Sequence, residues 1–81
     1  MEQMDINQEI KIGGIYKHAK NGNEYRVICL AKHSETLEDL VVYEALYNNK
    51  ESKFWTRPTS MFTEMVTNNG VETPRFIFLR T

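Results

Sequence analysis

The chain has little cysteine, little proline and no excess of either charge, and each shortage removes a class of protein. Cys29 is the single cysteine in 81 residues, so there is no internal disulfide and no paired Cys-x-x-Cys metal motif. A lone thiol of this kind fits a reducing cytoplasm, and its place in the apolar run Val27-Ile28-Cys29-Leu30-Ala31 predicts a small core residue. No segment approaches the roughly 20 apolar residues of a membrane helix, and the first residues are acidic and polar, unlike a secretory signal. Lysine and arginine number 10 against 11 acidic residues, for a formal charge of −1. Non-specific nucleic-acid binding needs many clustered cations, so that class is not favoured.

Proline is confined to Pro58 and Pro74 and glycine to Gly13, Gly14, Gly22 and Gly70, so these residues punctuate the chain. Between them lie short runs of alternating or continuous apolar residues. Ile15 to Ala19 and Glu24 to about His33 read as two strands, and Asn21-Gly22 as the two-residue loop of a tight hairpin. That register pairs Lys20 with Asn23, His18 with Tyr25 and Tyr16 with Val27, all on one face. Leu40 to Tyr47 is apolar on both faces and predicts an inner strand.

Lys53 to Arg57 is a further strand, which Pro58 ends or confines to an edge because proline lacks the ladder donor. Pro58 to Phe62 predicts one helical turn, with Met61 and Phe62 plugging the end of a barrel. Asn68-Asn69-Gly70 is a turn signal, and Arg75 to Leu79 the last strand. The expected fold is mainly β, a small SH3-like barrel or roll of about five or six strongly bent antiparallel strands with one short helical turn. Residues 1–13 are expected to be a flexible leader, or one short helix with Asp5 as its cap, and residues 14–81 a single domain.

The polar chemistry is concentrated in His33-Ser34-Glu35-Thr36 and in Trp55-Thr56-Arg57-Pro58. His33, Ser34 and Glu35 are the residue types of a hydrolytic triad, but neighbours along an extended segment point to alternate faces and cannot line up as nucleophile, base and orienter. Their plain role is a hydrogen-bonded turn. Arg57 can receive a carboxylate or phosphate in two parallel bonds, or else pair internally with Glu35 or Glu64. His18, His33 and Cys29 lack any metal-ligand spacing, so no metal and no cofactor are expected. Tyr16, Tyr43, Tyr47, Trp55 and Phe76 supply rings for a groove as well as for the core.

An ordered string of short pieces resembles one family, the bacterial domain of unknown function 1653. It runs through Gly14-x-Tyr16-x-His18, Gly22-Asn23-x-Tyr25-x-Val27 and Ala31-x-His33-Ser34-Glu35-Thr36. It continues through Leu40-Val41-Val42-Tyr43, Leu46-Tyr47, Trp55-x-Arg57-Pro58, Met61-Phe62-x-Glu64 and Pro74-Arg75-Phe76. The resemblance implies an SH3-like roll and no assigned activity.

The function expected from these residues is a cytoplasmic, non-catalytic binding module for a peptide segment or a small anionic ligand. Its site would be drawn from Tyr16, His18, His33, Ser34, Glu35, Thr36, Tyr43, Trp55 and Arg57. The alternatives are a small enzyme with His33 as general acid or base, and a single-stranded nucleic-acid binder stacking bases on exposed rings.

Overall fold

In the computed structural model, which describes residues 10–81, the chain begins with a meander whose geometry is set by its turns. Strand β1 (Ile15–His18) pairs antiparallel with β2 (Glu24–Lys32), Tyr16 opposite Tyr25 and Lys17 opposite Glu24. This register differs by two residues from the expected one. A two-residue loop of the tight type needs a positive φ at both positions, and only Gly22 has it, at +75°. The chain instead makes a four-residue loop closed by the His18 amide donating to the Asn23 carbonyl at 2.9 Å. A shift of two preserves parity, so Tyr16, Tyr25 and Val27 still share the inner face.

At Asn69-Gly70 both residues are left-handed, with φ of +55° and +79°. There the two-residue loop does form, joining β5 (Met65–Asn68) to β6 (Val71–Pro74). The sequence marks this turn, but its flanks are too short and polar to stand out as strands. The count among the described residues is therefore seven strands rather than five or six.

The remaining elements are β3 (Asp39–Ala45), β4 (Phe54–Pro58), α1 (Thr59–Phe62) and β7 (Phe76–Arg80). They build a five-stranded antiparallel sheet in the order β4-β3-β2-β1-β7, the last strand returning beside the first, with β5 and β6 as a separate ribbon. This is the mainly β, SH3-like roll, but it is an open sheet and not a closed barrel. Among the described residues strand β4 pairs only with β3, and Pro58 ends it by turning into α1.

The core lies on the face shared by Tyr16, Tyr25, Val27, Val41, Tyr43, Ala45 and Phe76, and Phe62 of α1 covers it. Phe62 is 1% exposed and stacks on Phe76 with centroids 4.2 Å apart and planes 4° from parallel. Met61, expected beside it as a plug, is exposed. Cys29 is also exposed and not a core residue. The reason is a bulge in β2. Val27 lies opposite Tyr43, but Cys29 lies opposite Val42, so the parity of the strand flips between them and turns Cys29 outward.

The expected helix capped by Asp5 lies outside the described residues. Ile10 to Gly13, assigned to the leader, are tied to the fold: Ile10 packs against the core, the Lys11 amide donates to the Tyr16 hydroxyl at 3.0 Å, and the Gly13 amide to the Val27 carbonyl at 2.8 Å. No helix among the described residues is long and apolar enough to cross a membrane.

Candidate functional site

Strand parity decides which polar side chains reach the inner face. Arg57 is opposite Val41 and Trp55 opposite Tyr43, so Val41, Tyr43, Trp55 and Arg57 point the same way across β3 and β4. His18, opposite Phe76 at the end of β1, comes to that face from the other side of the sheet. Arg57 and His18 thus converge on one ring. The Arg57 guanidinium carbon lies 5.4 Å from the centroid of Phe76, and the His18 ring meets Phe76 edge to face at 5.0 Å.

Arg57 is half-buried, and its Nε donates to the Tyr43 hydroxyl at 3.4 Å. It does not pair with Glu35 or Glu64. Glu64 is taken by Arg75, whose Nε donates to Glu64 Oε2 at 2.8 Å while the Arg75 amide donates to the Glu64 carbonyl at 2.9 Å. The other ion pairs among the described residues are Lys32 with Asp39, Lys53 with Glu44 and Arg80 with Glu24. Among those residues no carboxylate compensates Arg57.

His18 sits in a positive neighbourhood. Burial pushes its pKa below 6.5, and the charges of Arg57, Arg75 and Lys20 push it further the same way. Its Nδ1 accepts the amides of Lys20 at 3.2 Å and Asn21 at 3.4 Å, which places the proton of the neutral ring on Nε2. The turn it caps is held from outside by Asn68, whose side-chain amide donates to the Ala19 carbonyl at 2.7 Å, and by the Ala19 amide on the Arg75 carbonyl at 2.8 Å.

His33 performs the same local task in a second copy of this turn. Its Nδ1 accepts the amides of Glu35 at 3.1 Å and Thr36 at 3.3 Å, its own amide donates to the Glu38 carbonyl, and the Leu37 amide returns to its carbonyl. The fifth residue of each turn is left-handed, Gly22 in one and Leu37, at +64°, in the other. Thr36 Oγ1 accepts the Glu38 amide at 3.2 Å. The segment His33-Ser34-Glu35-Thr36 thus closes the β2–β3 hairpin with its own bonds. Among the described residues no hydrogen bond or ion pair joins it to Arg57.

The other expected rings pack or hydrogen-bond within the fold. Tyr16 is buried and packs edge to face against Phe62 and Phe78. Trp55 is half-buried, with its indole N–H donating to the Ser52 carbonyl at 3.1 Å. Tyr47 shares a 2.7 Å hydrogen bond with Tyr25, and burial together with that bond raises the Tyr25 phenol to about 12. No group of three His, Cys, Asp or Glu side chains among the described residues is placed to hold a metal. Phe76, expected as a ring for a groove or for the core, is the buried ring that Arg57 and His18 approach. The pairing of Arg75 with Glu64 was not expected, since nothing local announces which arginine Glu64 takes.

The sequence pattern of the family described as "protein of unknown function (DUF1653)" matches residues 14–78. The crystal structure of a DUF1653 protein from Bordetella bronchiseptica is similar to this fold, with a TM-score of 0.82 and 32% sequence identity, covering 90% of this chain and 91% of that one. No curated protein matches the chain.

Proposed function

This chain belongs to the DUF1653 family, and on that premise we propose that it is a non-catalytic binding module that holds an anionic group of a peptide or small molecule beside Arg57. One observation carries the reading: a half-buried guanidinium positioned by Tyr43 and Phe76, with no carboxylate against it among the described residues. Withdrawing a cation from water without a counter-charge is costly, and an incoming anion offsets that cost. Tyr43 and His18 supply hydroxyl and ring N–H donors on the same face. We place this activity in the cytoplasm, on the ground that the one thiol, Cys29, is exposed and unpaired.

The alternative readings have no comparable support. The Nδ1 of His33 is occupied by its own turn, and no carboxylate among the described residues orients the ring as a general base requires. A strand-tracking surface needs a row of cations, whereas here Arg75, Lys32, Lys53 and Arg80 are each paired with an acid. The test is calorimetric titration of wild type and Arg57→Ala with short acidic peptides and small anions. Binding lost in the variant supports the module, and equal binding by both removes Arg57 from it.

A further inference from the structure

We infer that the anion taken at this site is a carboxylate, received end-on by the two terminal nitrogens of Arg57, in preference to a phosphate. The inference rests on the binding-module reading and narrows its ligand.

A guanidinium offers two forks, a side-on one that uses Nε and an end-on one formed by the two terminal nitrogens. In Arg57 the Nε is engaged by the Tyr43 hydroxyl at 3.4 Å, which leaves the end-on fork. Two parallel N–H donors match the two oxygens of a planar carboxylate. The charge on the inner face points the same way. Arg75 is neutralised by Glu64, and His18 is neutral while its Nδ1 accepts the turn amides. Arg57 is then the one uncompensated charge on the inner face among the described residues, with Lys20 on the exposed turn at its rim. One positive charge balances a singly charged carboxylate and underpays a phosphate carrying close to two charges at neutral pH. Phe76, buried and packed against the guanidinium, supplies no donor for a third oxygen.

The experiment follows the Arg57 side-chain Nε–Hε signal by nuclear magnetic resonance near neutral pH at constant ionic strength, titrating propionate, an acetylated dipeptide acid and inorganic phosphate. Both carboxylates are expected to shift it saturably and to bind at least about threefold more tightly than phosphate. The dipeptide acid binds more tightly than propionate where the natural source is a chain terminus, and equally where it is a small acid, and either result supports the carboxylate. Arg57→Lys keeps the charge but loses the fork, and is expected to weaken propionate about tenfold. Tighter binding of phosphate by the wild type overturns the carboxylate preference and leaves the anion site standing. Saturation by none of the three overturns both. Propionate binding unchanged in a folded Arg57→Lys overturns the end-on fork.

Discussion

Replacing His18 by alanine tests whether a neutral imidazole holds the first turn. The substitution removes two exposed amide-to-nitrogen hydrogen bonds, at 3.2 and 3.4 Å, and an edge-to-face contact with Phe76. Exposed bonds of that length contribute about 0.5 kcal/mol each, and the ring contact about 0.5–1 kcal/mol. The expected loss near pH 8 is about 1.5–2 kcal/mol, which for a domain of this size lowers Tm by about 10 °C. His18→Asn keeps a side-chain acceptor for the turn and loses about half as much. The folded pKa of His18 lies below 6.5, so as pH falls the unfolded chain takes up the proton first. The stabilisation is therefore complete above 6.5 and disappears as pH drops through the lowered folded value. A protonated Nδ1 then faces two amide donors, with Arg57, Arg75 and Lys20 nearby. Urea denaturation followed by circular dichroism is expected to show a gap between wild type and His18→Ala that narrows markedly from about pH 8 to about pH 5. A gap constant over that range refutes the neutral cap.

Phe62→Ala opens a cavity under Phe76 and is expected to cost about 3–5 kcal/mol, enough to leave much of the chain unfolded at room temperature in the same urea assay. Gly14→Ala places a Cβ 2.9 Å from the Lys11 carbonyl oxygen and 3.1 Å from the Phe78 ring, and a loss of about 1–3 kcal/mol is expected from the displaced backbone. Ultraviolet titration is expected to show a phenolate step near 12 that is lost in Tyr25→Phe and moves down in Tyr47→Phe. Because that folded value lies above 10, the stability Tyr25 contributes is complete below pH 10 and is lost as pH rises through about 12, so Tyr25→Phe resists alkaline unfolding better than its neutral-pH stability predicts.

The strands that carry strong alternation or long apolar runs were legible from their residues, and so was the end of β4, because a proline cannot donate to the ladder. What escaped were decisions made by pairing. The bulge after Val27 occurs in a run with no glycine to mark it, and it alone decides that Cys29 faces water. Two Asn-Gly pairs look alike, yet Asn69-Gly70 makes the tight loop while His18 draws Asn21-Gly22 into a longer one by accepting amides that a tight loop does not present. The residues of His33-Ser34-Glu35-Thr36 are equally suited to a ligand or to their own backbone, and here they bond their own backbone. Glu64 was expected as a partner of Arg57, but the backbone bond between Glu64 and Arg75 at the start of β7 brings Arg75 to it instead.

That last choice is what leaves Arg57 without Glu64 as a counter-charge. Pro58 stops β4 one residue after Arg57 and starts α1, so the distance along the chain from Arg57 to Phe62 is a single helical turn. The turn sets Phe62 flat against Phe76, the same ring that Arg57 and His18 approach. Glu64 follows two residues later and is pulled to Arg75, away from Arg57. A one-residue slip of β4 against β3 would turn Arg57 to the outer face and bring Thr56 in, removing the cation from the aromatic wall. The ladder register, the proline stop and the Glu64–Arg75 pair therefore act together. They bury the core ring and leave one guanidinium beside it without a counter-charge among the described residues, so the contacts that stabilise the fold also position the candidate site.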